Sequence, residues 1–138
     1  MSLNRVLADT SIWIFALRKE SHPFIKKRVD NLLKENLVVT TPLINLELLG
    51  GVNTEKEFRR LEQRLEFLLT VKISDDHWTH AARLAFKMRR KGLTLPYTDL
   101  LLSAVAIAEE IILLHADAHF DLIAKHSDLR VESLVSVL

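Results

Sequence analysis

Short apolar runs alternate with longer stretches in which apolar residues recur every three or four positions, the pattern of an α/β domain with a parallel sheet. Residues 5–8 read as a first strand, followed by a turn at Asp9-Thr10-Ser11 and a short helix through Trp13 and Phe15. Phe24, Ile25, Val29, Leu32 and Leu33 mark a second helix that stops near Asn36, and the β-branched run 37–41 a second strand. Pro42 suits the first turn of a helix reaching Leu49, closed by Gly50-Gly51. An amphipathic helix is expected over 55–69 and a third strand over 70–73. Ser74 or Asp75 can cap a helix over about 76–91 with Gly92 at its C′ position. Pro96-Tyr97-Thr98-Asp99 opens the most apolar helix, 111–114 reads as a buried central strand, and a helix over 118–125 precedes a last strand near 129–131.

The expected fold is therefore a three-layer α/β/α sandwich around a parallel sheet of about five strands, in one domain spanning 1–138. A length of 138 residues suits one domain, and an apolar fraction of 49% excludes intrinsic disorder. With no cysteine, disulfide scaffolds, Cys-type zinc sites and thiol nucleophiles are excluded, and a cytoplasmic location fits. No apolar run approaches the roughly 18 residues that span a bilayer, and the opening residues carry no export signal. No membrane association is expected.

In open parallel sheets, ligands collect beyond the carboxyl ends of the strands, where strand order reverses. Asp9 directly follows the first strand, Asp117 follows the fourth by two residues, and Asp99 falls in the first turn of its helix. Glu47 lies inside an otherwise apolar helix, with Leu43 and Ile44 one turn before it, and is expected to be partly desolvated. Each has a bland reading: helix caps for Asp9 and Asp117, a favourable dipole for Asp99, a snorkelling side chain for Glu47. Those readings do not predict an acid at each of several turns on one edge. If the four converge, they cannot all stay ionised without a cation, and an all-oxygen site suits Mg²⁺ or Mn²⁺. One or two such ions would activate water and stabilise the leaving oxygen in phosphodiester hydrolysis.

Other constellations carry less. His77 and His80 stand at i, i+3 without an evident third ligand. His115 either contacts phosphate or fills the strand end. Ser11 lacks an identifiable histidine base, and no glycine-rich phosphate loop is present. Basic residues cluster at Arg18-Lys19, 26–28, Arg59, Arg60, Arg64 and 87–91, mostly as solvated faces. Arg18 and Lys19, just beyond the helix after Asp9, are the best placed for phosphate contacts, and Tyr97 is the best candidate for stacking.

Four segments in order, 7–13 (Leu-Ala-Asp-Thr-Ser-Ile-Trp), 45–50 (Asn-Leu-Glu-Leu-Leu-Gly), 98–104 (Thr-Asp-Leu-Leu-Leu-Ser-Ala) and 114–120 (Leu-His-Ala-Asp-Ala-His-Phe), resemble those of PIN-domain ribonucleases. More narrowly, they are similar to the VapC-type toxins of toxin–antitoxin pairs. The resemblance covers essentially the whole chain. It implies a PIN-like fold and an Mg²⁺- or Mn²⁺-dependent endoribonuclease, with an antitoxin partner and a homodimer. Carried over by position, Asp9 and Asp99 would hold the metal, and Glu47 and Asp117 would complete its shell directly or through water. Thr10 or Ser11 could orient water or a phosphate oxygen. The chain departs at His119, where many relatives carry a second acid, and Asp121 would point elsewhere; the number of ions stays open. The rival readings are a catalytically silent PIN-like binding module and another Mg²⁺ phosphohydrolase, the latter weakened because no Asp-x-Asp follows the first strand.

The formal charge of +1 then takes on a different meaning. Without the four acids, fourteen acidic residues remain against nineteen basic ones, leaving +5 on the frame. Near-neutrality would be an acidic pocket inside a mildly basic surround, as a polyanionic substrate requires.

Overall fold

The computed structural model describes residues 4–18 and 22–138. The expected alternation is present. The chain runs β1 (Val6–Ala8), α1 (Thr10–Leu17), α2 (Pro23–Lys34), β2 (Val38–Thr40), α3 (Pro42–Gly50), α4 (Glu55–Glu66) and β3 (Leu69–Thr70). It continues with α5 (Asp75–Arg90), α6 (Tyr97–Ala108), β4 (Ile112–His115), α7 (Ala118–Lys125), β5 (Val131–Ser133) and a 3-10 turn, Val135–Val137. The five strands form one parallel sheet in the order β3-β2-β1-β4-β5. Every residue of β1 and β2 is buried. Successive strand residues point to opposite faces, so helices must cover the sheet on both sides. β4 accordingly packs against both α1 and α6. The fold is the expected α/β/α sandwich, and its order reverses between β1 and β4.

Several boundaries differ from the sequence expectation. The helix expected over 55–69 ends at Glu66, because the amides of Phe67 and Leu68 turn back to Arg64 and Leu65 and tighten the last turn. Leu69–Thr70 then pairs with Val39 and Thr40 as β3. The strand expected over 70–73 goes no further than Thr70, since β2 itself ends where Thr41 caps α3 and Pro42 has no amide to offer. β5 starts at Val131 rather than 129; Leu129 is buried core, but the register with β4 begins at Leu113 opposite Val131.

Helices α2, α5 and α6 end alike, in a left-handed residue: Asn36 (φ 56°), Gly92 (φ 79°) and Glu110 (φ 55°). The following amide reaches back five residues in each case, Leu37 to Leu32, Leu93 to Met88 and Ile111 to Ala106, which is Schellman geometry. Ile111 therefore belongs to the cap of α6, and β4 begins at Ile112 rather than 111. Only glycine adopts this conformation without strain, about 1 kcal/mol or more for other residues. Gly92→Ala is expected to destabilise the chain by about 1 kcal/mol, since a Cβ there meets no neighbour and only the backbone term acts. Glu110→Gly should stabilise it by a similar amount. Urea unfolding measures both, and equal stabilities for parent and Gly92→Ala would remove the strain argument.

Candidate active site

Asp9 leaves the carboxyl end of β1 as the N-cap of α1, its carboxylate accepting from the Ile12 amide at 3.4 Å and from Ser11 Oγ at 2.6 Å. It is only 5% exposed. Burial pushes its carboxyl up to about 6, helped by the charge of Asp99 and opposed by the bonds from Ser11 and Ile12. Ser11 Oγ also accepts the Ala116 amide at 3.1 Å, tying the turn after β1 to the turn after β4 across the switch point. Both roles leave Ser11 without a base, so nothing supports it as a nucleophile.

Asp117 caps α7, accepting the His119 amide at 3.0 Å. Asp99 sits in the first turn of α6. Burial, then the charge of Asp117 and more weakly that of Glu47, push the Asp99 carboxyl above its ordinary range, against a pull from His119. The bland readings of these acids are thus real. Capping and clustering coexist.

His119, which the sequence presented only as a missing acid, joins them. One turn of α7 brings its Nδ1 to 3.1 Å from Asp99 Oδ2 and 3.4 Å from Asp117 Oδ1. Ligand atoms of Asp99, Asp117 and His119 lie within 4.8 Å of one another, the spread a single cation can bridge.

Glu47 corrects the sequence expectation. It is exposed rather than partly desolvated. Gly50 and Gly51 put no side chain over the last turn of α3, so the carboxylate faces open solvent and is held through Oε1 by Thr10 Oγ1 at 2.8 Å. Arg18 is the C-cap of α1, roughly 12 Å along that helix from Thr10, with its guanidinium over the Phe15 ring. It does not join the acids. Lys19 lies outside the described residues.

His77 is a cap rather than a ligand: its Nδ1 accepts the Ser74 amide in a capping box and its Nε2 faces Glu109 at 3.0 Å. His115 is fully buried against Phe120, which removes the phosphate-contact reading, and burial lowers its affinity for a second proton. Asp121 points away from the cluster, toward His115 and Ser133. Of the basic residues, Arg28 pairs with Glu132 and Arg59 with Glu55, whereas Lys56, Arg60 and Arg64 line a cleft of about 510 Å³ beside α4. Exposed aromatics are more numerous than the sequence suggested, with Tyr97 joined by Phe24, Phe67, Trp78 and Phe86. No helix among the described residues is long and apolar enough to cross a membrane.

Known proteins are similar to this chain along most of its length. The profile of the PIN domain matches residues 6–126. Ribonuclease VapC51 of Mycobacterium tuberculosis is 29% identical over 123 residues, covering 87% of this chain and 85% of that protein. Ribonuclease VapC2 of Rickettsia felis is 25% identical over 107 residues, 75% and 79% of the two chains. Among solved structures, VapBC2 from Rickettsia felis bound to a DNA fragment of its promoter superposes with a TM-score of 0.77 at 22% identity, over 93% of this chain and 97% of that one. FitAcB from Neisseria gonorrhoeae superposes with a TM-score of 0.75 at 18% identity, over 91% and 95%.

Proposed function

This chain belongs to the PIN domain family, and from that premise we propose that it is a VapC-type endoribonuclease toxin, one PIN-like domain over 1–138 that hydrolyses RNA phosphodiester bonds with Mg²⁺ or Mn²⁺. The observation that carries the reading is the gathering of Asp99, Asp117 and His119 within 4.8 Å at the switch point, beside buried Asp9. Relatives named as VapC ribonucleases support the reaction class, and structures of VapBC complexes support an antitoxin partner. A homodimer in the cytoplasm completes the proposal.

The donor set fits a hard divalent ion. The Asp99 carboxylate, its proton affinity raised by burial and by the charge of Asp117, stands next to desolvated Asp9, and a cation in place of protons relieves both. Asp99 and Asp117 would hold the ion, with Asp9 and the His119 imidazole completing the set directly or through water. When bound, the ion supplies Lewis-acid stabilisation of phosphoryl charge and lowers the pKa of water. The chain's own residues do the rest. Ser11 holds Asp9 and the 116 amide together, fixing the distance between the β1 and β4 turns. Thr10 fixes Glu47 through Oε1, leaving Oε2 open to take a proton from an attacking water. Lys56, Arg60 and Arg64, in the cleft beside α4, offer phosphate contacts.

One observation favours a second reading. His119 Nδ1 already stands within 3.4 Å of two acids, filling the gap a cation would bridge, as a silent binding module would require. Purified protein incubated with mixed RNA separates the two. Cleavage is expected with Mn²⁺ or Mg²⁺ and is lost in chelator. Cleavage that persists in chelator removes the metal-dependent reading, and absence of both cleavage and Mn²⁺ binding establishes the silent module. An adjacent gene for a small DNA-binding protein separates a toxin from a housekeeping nuclease.

A further inference from the structure

The imidazole of His115 does more than fill space. Filling the end of β4 against Phe120 needs only an apolar ring, yet Nδ1 accepts a hydrogen bond and Nε2, which makes none, is buried 3.2 Å from a carboxylate oxygen of Asp121. Nδ1 accepts the Asp117 amide at 3.1 Å, closing around Ala116 the turn that an Asn or Asp side chain closes when it takes the amide two residues ahead. A ring nitrogen that accepts an amide carries no hydrogen, so in the neutral ring the proton sits on Nε2. Nε2 faces Asp121 Oδ1 at 3.2 Å. Asp121 is itself held through Oδ2 by Ser133 Oγ at 3.0 Å, and Ser133 is the residue opposite His115 in the β4–β5 ladder. The chain of contacts thus begins and ends on the same pair of strand residues. The Nδ1 bond fixes the tautomer and the direction of the Asp117 amide, and the Asp121 carboxylate stands on the proton-bearing side of the ring.

We propose that His115 is a positioning residue: its imidazole, buried against Phe120 and accepting the Asp117 amide through Nδ1, shapes the 115–117 turn so that the Asp117 carboxylate stands beside Asp99. The proposal rests on the reading of Asp117 as a metal-holding residue. It concerns hydrogen-bond direction and not a change of charge. Groups that orient a metal-binding side chain in this way are worth roughly 10- to 100-fold in metal affinity.

Mn²⁺ binding to the full chain by titration calorimetry, with circular dichroism as a check on folding, tests it. His115→Leu keeps the bulk and loses the bond, and it is expected to bind Mn²⁺ about tenfold or more weakly. His115→Asn, whose Oδ1 can take the same amide, is expected to bind close to the parent. Asp117→Asn separates the two ideas. If it binds Mn²⁺ like the parent, the role given to Asp117 fails. If it binds weakly while His115→Leu binds like the parent, the positioning proposal alone fails. Nitrogen-15 NMR of the unmodified protein gives a readout independent of any variant's folding and of metal. The His115 proton is expected on Nε2, and a proton on Nδ1 overturns the proposal.

Discussion

Asp99→Asn is expected to lose Mn²⁺-dependent RNA cleavage by about a thousandfold while folding as well as the parent. Lewis-acid stabilisation by a metal is worth several kcal/mol, and 4 kcal/mol is about a thousandfold in rate. The carboxamide has the shape of the acid, and its oxygen can still accept a hydrogen from His119 Nδ1. What it lacks is charge. Without metal, that loss is favourable, because Asp99 is held above its ordinary proton affinity by burial and by Asp117. The melting temperature of the variant in chelator should therefore equal or exceed that of the parent near neutral pH. Added Mn²⁺ reverses the order, since a ligand present at a hundred times its Kd stabilises the parent by about 2.7 kcal/mol and the variant far less. Cleavage and melting curves with and without Mn²⁺ measure both effects. Retained cleavage would exclude Asp99 from the metal site.

The sequence exposed Asp9 and Asp117 because strand ends can be read from apolar runs, and the residue after a parallel strand faces the ligand edge. It exposed Asp99 through the helix start at Pro96-Tyr97. What remained hidden depended on other elements. Glu47 looked desolvated from its own helix, but spacing along one helix says nothing about what covers it from outside. His119 read as a missing acid because spacing alone does not show that a turn of α7 carries its ring back to Asp99. Leu69 continued the helical period of Leu61 and Leu65, and only the free edge of β2 decides that it pairs as a strand. Glu110 carries no glycine signal for the left-handed cap it forms. Boundaries and burial were lost where tertiary partners overrode local pattern, whereas element type, which local pattern sets, was not.

Buried Asp9 makes the stability of the metal-free protein sensitive to pH. Its carboxyl binds a proton up to about pH 6 in the folded state, against 3.8 ordinarily. A folded-state pKa above the unfolded value stabilises the fold fully below about pH 4, and that contribution disappears as the pH rises through about 6. The difference amounts to at most about 3 kcal/mol, and the group is buried enough for little of it to be screened. Asp9→Asn cannot titrate, yet its amide oxygen can still take the Ser11 and Ile12 hydrogens. In chelator the variant should therefore gain up to about 3 kcal/mol on the parent as the pH rises from about 4 to about 7. His115 acts in the opposite sense, since burial lowers its pKa below 6.5 and its contribution is lost as the pH falls. It is present in both proteins and cancels in the comparison. Urea unfolding at stepped pH gives the difference directly. A flat difference would mean that Asp9 keeps an ordinary proton affinity in spite of its burial. A sloping one means that a cation held by Asp9 would have to displace its proton, and Mn²⁺ affinity in the parent is then expected to fall as the pH drops through about 6.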